Sequence, residues 1–186
     1  ASTGFSIVRN GANTSPPFLS FGKQRSGAVG GNTIVQQGDQ LGQINFSGAD
    51  GTDLVSNAAS ISSFVDGTPG ANDMPGRLVF STTADGAATP TTRLTIDSAG
   101  LVKLPDNGKF VAGAGNDLQI FHDGTSSFIT NTGELFIRSN GSTMFLQAAS
   151  NENAVKVIPN GAVELYYDNS KMLETTSNGV TIVGEG

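Results

Sequence analysis

The chain contains no cysteine, one histidine and no cluster of lysines or arginines. Without cysteine there is neither a disulfide framework nor a thiolate metal site. Without clustered cations, nucleic acid and anionic membrane surfaces are excluded as expected partners. No apolar run approaches the length of a membrane span, so membrane insertion is not expected either, and no charged-then-apolar leader opens the chain. Charged residues make up only 14%, with a formal charge of −6, which is not the composition of a disordered acidic tail. The apolar fraction of 37% is low, and the 25 glycines among 186 residues are nearly twice the usual share. Such a chain forms a dry seam more readily than a thick core. It favours an elongated object, or one that completes its core with copies of itself. It begins at Ala1 and stops at Gly184-Glu185-Gly186, and reads as a piece of something longer.

Helix signals are nearly absent. In "DLVSNAASISSFV", Leu54, Ala58, Ile61 and Val65 recur at helical spacing, while Ala59, Ile61, Ser63 and Val65 alternate as in a strand. Periodicity alone leaves both open, and β-propensity favours the strand. "QLGQINF" (Gln40–Phe46), "GRLVFSTT" (Gly76–Thr83) and "TRLTI" (Thr92–Ile96) are short, β-prone and bounded by turn residues. The loop "VDGTPGANDMPG" (Val65–Gly76) carries three glycines and two prolines, so it is neither helix nor central strand.

A weak motif recurs across the second half: an apolar pair, a polar turn ending in glycine, and another apolar pair. It appears as "LTIDSAGLV" (Leu94–Val102), "FITNTGELFI" (Phe128–Ile137), "VIPNGAVEL" (Val157–Leu165) and "TTSNGVTI" (Thr175–Ile182). Gly124, Gly141, Gly161 and Gly179 are spaced by 17, 20 and 18 residues. Each follows Asp or Asn, so each is expected to take the positive φ of a tight turn. Quasi-repeats of this length indicate short strands stacked unit on unit. The fold class is therefore all-β, with an amino-terminal β module over residues 1–104 and a repetitive β shaft over 105–186. Such strands, with little total core, must bury one face against something. Three chains wound about one axis would supply that layer, and a monomeric solenoid would also do so.

"GDQLGQINFSGADGTDL" and "VDGTPGANDMPGRLVFSTTADGAATPTTRLTIDSAGLV" resemble a module of tail-fibre proteins of tailed bacteriophages, especially marine and cyanobacterial ones. "NDLQIFHDGTSSFI…GELFIRSNG" and "NGAVELYYDNSKMLETTSNGVTIVG" are similar to a second module of such fibres. The resemblance implies an elongated homotrimeric fibre on the virion, with short-strand modules and a triple-stranded β-helix or prism-like shaft. It also implies attachment to other phage tail proteins and recognition of a host surface glycan or protein receptor. Many such fibres end in a self-cleaving chaperone domain, and no stretch here matches one.

Candidate chemistry is sparse, and no cofactor, metal or catalytic residue is assigned. Of the eleven Asp, Asp50, Asp66, Asp85 and Asp123 precede glycine and Asp39 follows one, so turns account for them first. Asp50, Asp53, Asp66 and Asp73 lack the spacing of a calcium loop. His122 lacks the neighbours of a nucleophilic triad and is assigned a structural role, with an axial cluster in a trimer as the functional alternative. A glycan-cleaving tailspike would need two facing carboxylates. Glu134 and Glu164 alternate with apolar neighbours and are assigned to solvated strand faces, while Glu152 and Glu174 are the other non-turn acids. Of the adjacent Tyr166 and Tyr167, one should pack inward and one face outward. Phe18 and Phe21 flank a turn-rich entry, and "GAVGGNT" (Gly27–Thr33) is a loop without the context of a phosphate site. Asp66, Thr68, Asn72 and Asp73, on the loop between proline corners Pro69 and Pro75, are the expected receptor-binding residues. The same loop could instead connect modules. The functional expectation is an adhesive, non-catalytic fibre segment. A depolymerising tailspike and a bacterial surface adhesin are the alternatives.

Overall fold

The computed structural model describes residues 4–149 and 151–183; Ala1 and the terminal Gly184-Glu185-Gly186 lie outside them. Every regular element among the described residues is a strand, and the chain divides into two compact units, residues 1–130 and 131–186.

The first unit opens with irregular chain and then forms a five-stranded antiparallel meander. Its strands are β1 (Gln40–Ser47), β2 (Asn57–Val65), β3 (Gly76–Thr82), β4 (Thr91–Ile96) and β5 (Val102–Lys103). The ambiguous "DLVSNAASISSFV" resolves into β2, because its alternating small and β-branched side chains suit the middle of a sheet. Register places Ile44, Ile61, Phe80 and Leu94 in one row across four strands. The opposite face carries Gln43, Ser62, Val79, Thr95 and Lys103. One face is thus apolar and the other largely polar, as the period of two requires. Phe21 lies over Gly42 so closely that a Cβ there would come within 2.6 Å of the Phe21 Cβ. That ring covers only the β1 side of the apolar face. The five-stranded sheet ends at Lys103, and a smaller sheet follows: β6 (Lys109–Ala112), β7 (Leu118–His122) and β8 (Ser127–Asn131). It is stiffened by the Phe121–Phe128 stack at 5.0 Å, with the Lys109 ammonium 4.3 Å from the Phe121 ring centroid.

The second unit is another five-stranded meander: β9 (Met144–Ala149), β10 (Glu152–Val157), β11 (Val163–Tyr167), β12 (Ser170–Thr176) and β13 (Gly179–Ile182). Three of the four quasi-repeat segments are hairpins, β4–β5, β10–β11 and β12–β13. The exception is "FITNTGELFI": β8 ends at Asn131, and Leu135, Phe136 and Ile137 run as exposed irregular chain. Glu134 lies in that irregular segment and not on a solvated strand face, because the turn at Gly133 is not followed by a pairing strand.

Turn chemistry departs from expectation at one glycine. Gly124, Gly141 and Gly179 have φ of 98°, 93° and 143°. At Asn160-Gly161 the asparagine takes the left-handed conformation instead, with φ 54°, and Gly161 is outside the positive-φ set. Gly161 is required for space: a Cβ there would sit 2.9 Å from Ile158 Cγ2. Asparagine and aspartate also fill both central positions of the β11–β12 turn, where Asp168 and Asn169 have φ of 47° and 59°. Both values positive is the type I′ geometry that matches hairpin twist.

Candidate functional site

The loop joining β2 to β3 is built as a closed hairpin. At its neck the Asp66 amide donates to the Pro75 carbonyl at 2.9 Å, and at its tip Gly70 and Asp73 exchange backbone hydrogen bonds of 2.9 and 3.2 Å. Asn72 accommodates the tip with φ 57°. Gly67 fits under Pro75, whose Cγ would lie 3.1 Å from an added Cβ. The proline corners and this pairing leave Thr68, Asn72, Asp73 and Met74 exposed on an ordered scaffold. A groove of about 460 Å³ runs beside the tip, lined by Gly70, Ala71 and Met74 together with Lys23, Gln24 and residues 32–35.

Two carboxylates anchor this end of the sheet. Asp66 Oδ1 accepts from Arg77 Nη1 at 2.8 Å, and Oδ2 accepts from the Ser98 amide at 2.9 Å. The Ser98 amide first, and then the guanidinium, hold its carboxyl down at about 2. Arg77 in turn lies 5.0 Å from the Phe64 ring centroid. Of the four residues expected to bind a receptor, Asp66 therefore has both oxygens engaged inside the chain, while Thr68, Asn72 and Asp73 present theirs outward. Asp39 is the second anchor and is nearly buried at 9% exposure. Arg25 grips it with both Nε and Nη2, at 2.6 and 2.7 Å, Lys23 lies 3.3 Å away, and the Gln36 amide donates to it at 3.0 Å. The Arg25 contact above all holds its carboxyl far below the usual range. The Asp39 carbonyl accepts from the Val65 amide at 2.8 Å, which ties residues 23–25 to the base of the loop. Val65 is the largest fully buried side chain among the described residues.

The remaining acids divide into turn caps and a charged cluster. Asp50 accepts from the Thr52 and Asp53 amides and the Ser56 hydroxyl, and Asp123 from the Thr125 and Ser126 amides. Those are turn roles, in agreement with the Asp-Gly pairs. His122 Nδ1 lies 3.2 Å from Ser127 Oγ across the β7–β8 turn. Among the described residues no three His, Cys, Asp or Glu converge as a metal site. Glu164, by contrast, is not solvated: it is 7% exposed, at the centre of one face of the second sheet. Tyr166 donates to its Oε2 at 2.6 Å, and Lys156 and Lys171 lie at 3.0 and 3.4 Å. Lys171 also bridges to Glu174, the ladder partner of Glu164. The Tyr166 hydroxyl first, then Lys156, holds the Glu164 carboxyl at about 2. Glu164 and Glu174 therefore sit side by side on one sheet face under a shared cation, an arrangement suited to a fixed anion and not to a proton donor. Tyr167 points outward, as alternation requires. The cluster left no sequence signal beyond alternation, because its partners come from three strands.

No protein-family model matches this sequence, and no curated protein does. Among solved structures, the fold is similar to the carboxy-terminal domain of the bacteriophage T5 L-shaped tail fibre with its intramolecular chaperone domain. The TM-score is 0.54 at 13% identity, over 98% of this chain. This chain spans 63% of the length of that one.

Proposed function

We propose that this chain is a structural and adhesive segment of a phage tail fibre, carried on the virion tail as a homotrimer and contributing to host attachment. The observation that carries the proposal is the missing core. Among the described residues only Val35 and Val65 are buried hydrophobics, while large apolar side chains such as Phe46, Leu146 and Ile182 stand exposed. Strands with so little buried apolar surface need a further layer, which copies of the chain would supply. The likeness of the fold to a tail-fibre domain supports the same reading.

In this reading the β2–β3 hairpin meets the host surface through Thr68, Asn72 and Asp73, and Asp66 positions it. Other tail proteins hold the fibre, and a host glycan or protein is the ligand. The segment performs no reaction of its own. Mass determination in solution at low chain concentration should give three chains, and a stable monomer with native β content would refute the trimer. Thr68→Ala with Asn72→Ala should reduce adsorption of the fibre to host cells without changing that mass. Unchanged adsorption would make the loop a connector. Reducing ends released from host capsule or lipopolysaccharide would show a depolymerase instead.

A further inference from the structure

The two faces of the second sheet differ in a way that assigns which of them meets other chains. Leu146, Val155, Leu165, Leu173 and Ile182 are successive ladder partners and form one unbroken apolar row across all five strands. A parallel row runs through Val157 and Val163 on the same face. No described hydrophobic residue of this unit is buried, and Leu146, Leu165 and Ile182 are 55%, 40% and 78% exposed. The other face is already closed on itself by the Lys156–Glu164–Lys171–Glu174 cluster, whose central carboxylate is nearly buried within a single chain.

We infer that the Leu146–Ile182 row is the surface on which copies of this chain associate, and that the Glu164 face turns outward to water. The inference rests on the self-association proposed above and adds the face that mediates it. The occupant is a second copy, as the proposed homotrimer requires, and electrostatics selects the face. Each chain carries −6, so copies approach favourably only where no acid is brought against another acid. The apolar row carries no ionisable side chain, whereas the opposite face would set one chain's Glu164 and Glu174 against another's. Burying an isolated carboxylate without new partners is strongly unfavourable, while burying leucine and valine is favourable.

The absence of cysteine allows a direct test. Leu165→Cys and Thr181→Cys place single thiols on the two faces, Thr181 being the ladder partner of Glu174. Each full chain is mixed with a thiol-reactive dye, and its mass is measured in the same buffer. The Cys at 165 should react more than about tenfold slower in the native assembly than in denaturant, because only locally opened chains expose it. The Cys at 181 should react freely. A freely reacting thiol at 165 in an assembly of normal mass overturns the face assignment and leaves self-association standing. A monomeric mass for the parent chain overturns self-association itself. Leu165→Asp adds a second readout: it should lower the mass to one chain or prevent folding, while Thr181→Asp retains the parent mass. Retention of the parent mass by both refutes the inference.

Discussion

Replacing Gly124 with alanine isolates the energetic role of the turn glycines. Gly124 has φ 98°, and the nearest atom to an added Cβ is Asp106 Oδ2 at an ordinary 3.5 Å. The cost is therefore backbone strain alone, about 1–2 kcal/mol per chain. Unfolding entropy for a chain of this length is about 0.4 kcal/mol per kelvin, so the melting temperature should fall by about 3–5 °C. Association into the proposed trimer would not alter that figure, because three chains melting together would carry three times the strain and three times the entropy. Gly27→Ala is the control, since Gly27 has no positive φ and meets no atom within 4 Å; its shift should stay below about 1 °C. Gly161→Ala should also destabilise, but through contact with Ile158 Cγ2. Its cost should shrink in an Ile158→Ala background, whereas the cost of Gly124→Ala should not. Thermal melts by circular dichroism at equal chain concentration provide the comparison. A Gly124→Ala protein that melts with the parent, or equal shifts for all three glycines, would refute the reasoning.

Acid should unfold the protein through its anchored carboxylates. Asp66 and Glu164 are held at about 2, against ordinary values of 3.8 and 4.5. A depressed carboxyl stabilises fully above its ordinary value and loses that contribution as pH falls through the depressed one, so melting temperatures should be level above about pH 5 and drop toward about pH 2. Glu164→Gln should lower the melting temperature at neutral pH and flatten the acid drop; a parent profile flat down to about pH 2 would contradict this. Tyr166→Phe removes the hydroxyl that donates to Glu164 at 2.6 Å, so the Glu164 titration followed by NMR should move upward, and an unmoved titration would deny that bond. Asp66→Ala frees Arg77 and the Ser98 amide, so limited proteolysis should cut within residues 66–75 faster than in the parent, and equal rates would remove its anchoring role.

Strands were legible where β-branched or aromatic residues alternate between turn signals, as in Gly76–Thr82 and Gln40–Ser47. The same pattern misled at Glu134–Ile137, which alternates but finds no neighbouring strand. At Asn160-Gly161 both residue types tolerate positive φ, so sequence alone could not say which one adopts it. The anchors were less legible still. Arg25 and Asp39 are 14 positions apart, and Ser98 reaches Asp66 across 32; no local rule pairs residues at such separations. Exposure of Thr68, Asn72 and Asp73 did follow from the loop's composition, whereas the commitment of Asp66 to Arg77 required the folded sheet.

Both five-stranded sheets are meanders in which every strand pairs only with its neighbours in sequence. Their ladders can therefore close hairpin by hairpin as the chain leaves the ribosome, without waiting for a distant segment, and such low contact order favours rapid folding. In the proposed trimer, docking of copies would be a separate, concentration-dependent step that sets the overall pace of maturation. Dilution should accordingly slow the appearance of the assembled form while leaving the early gain of β signal unchanged.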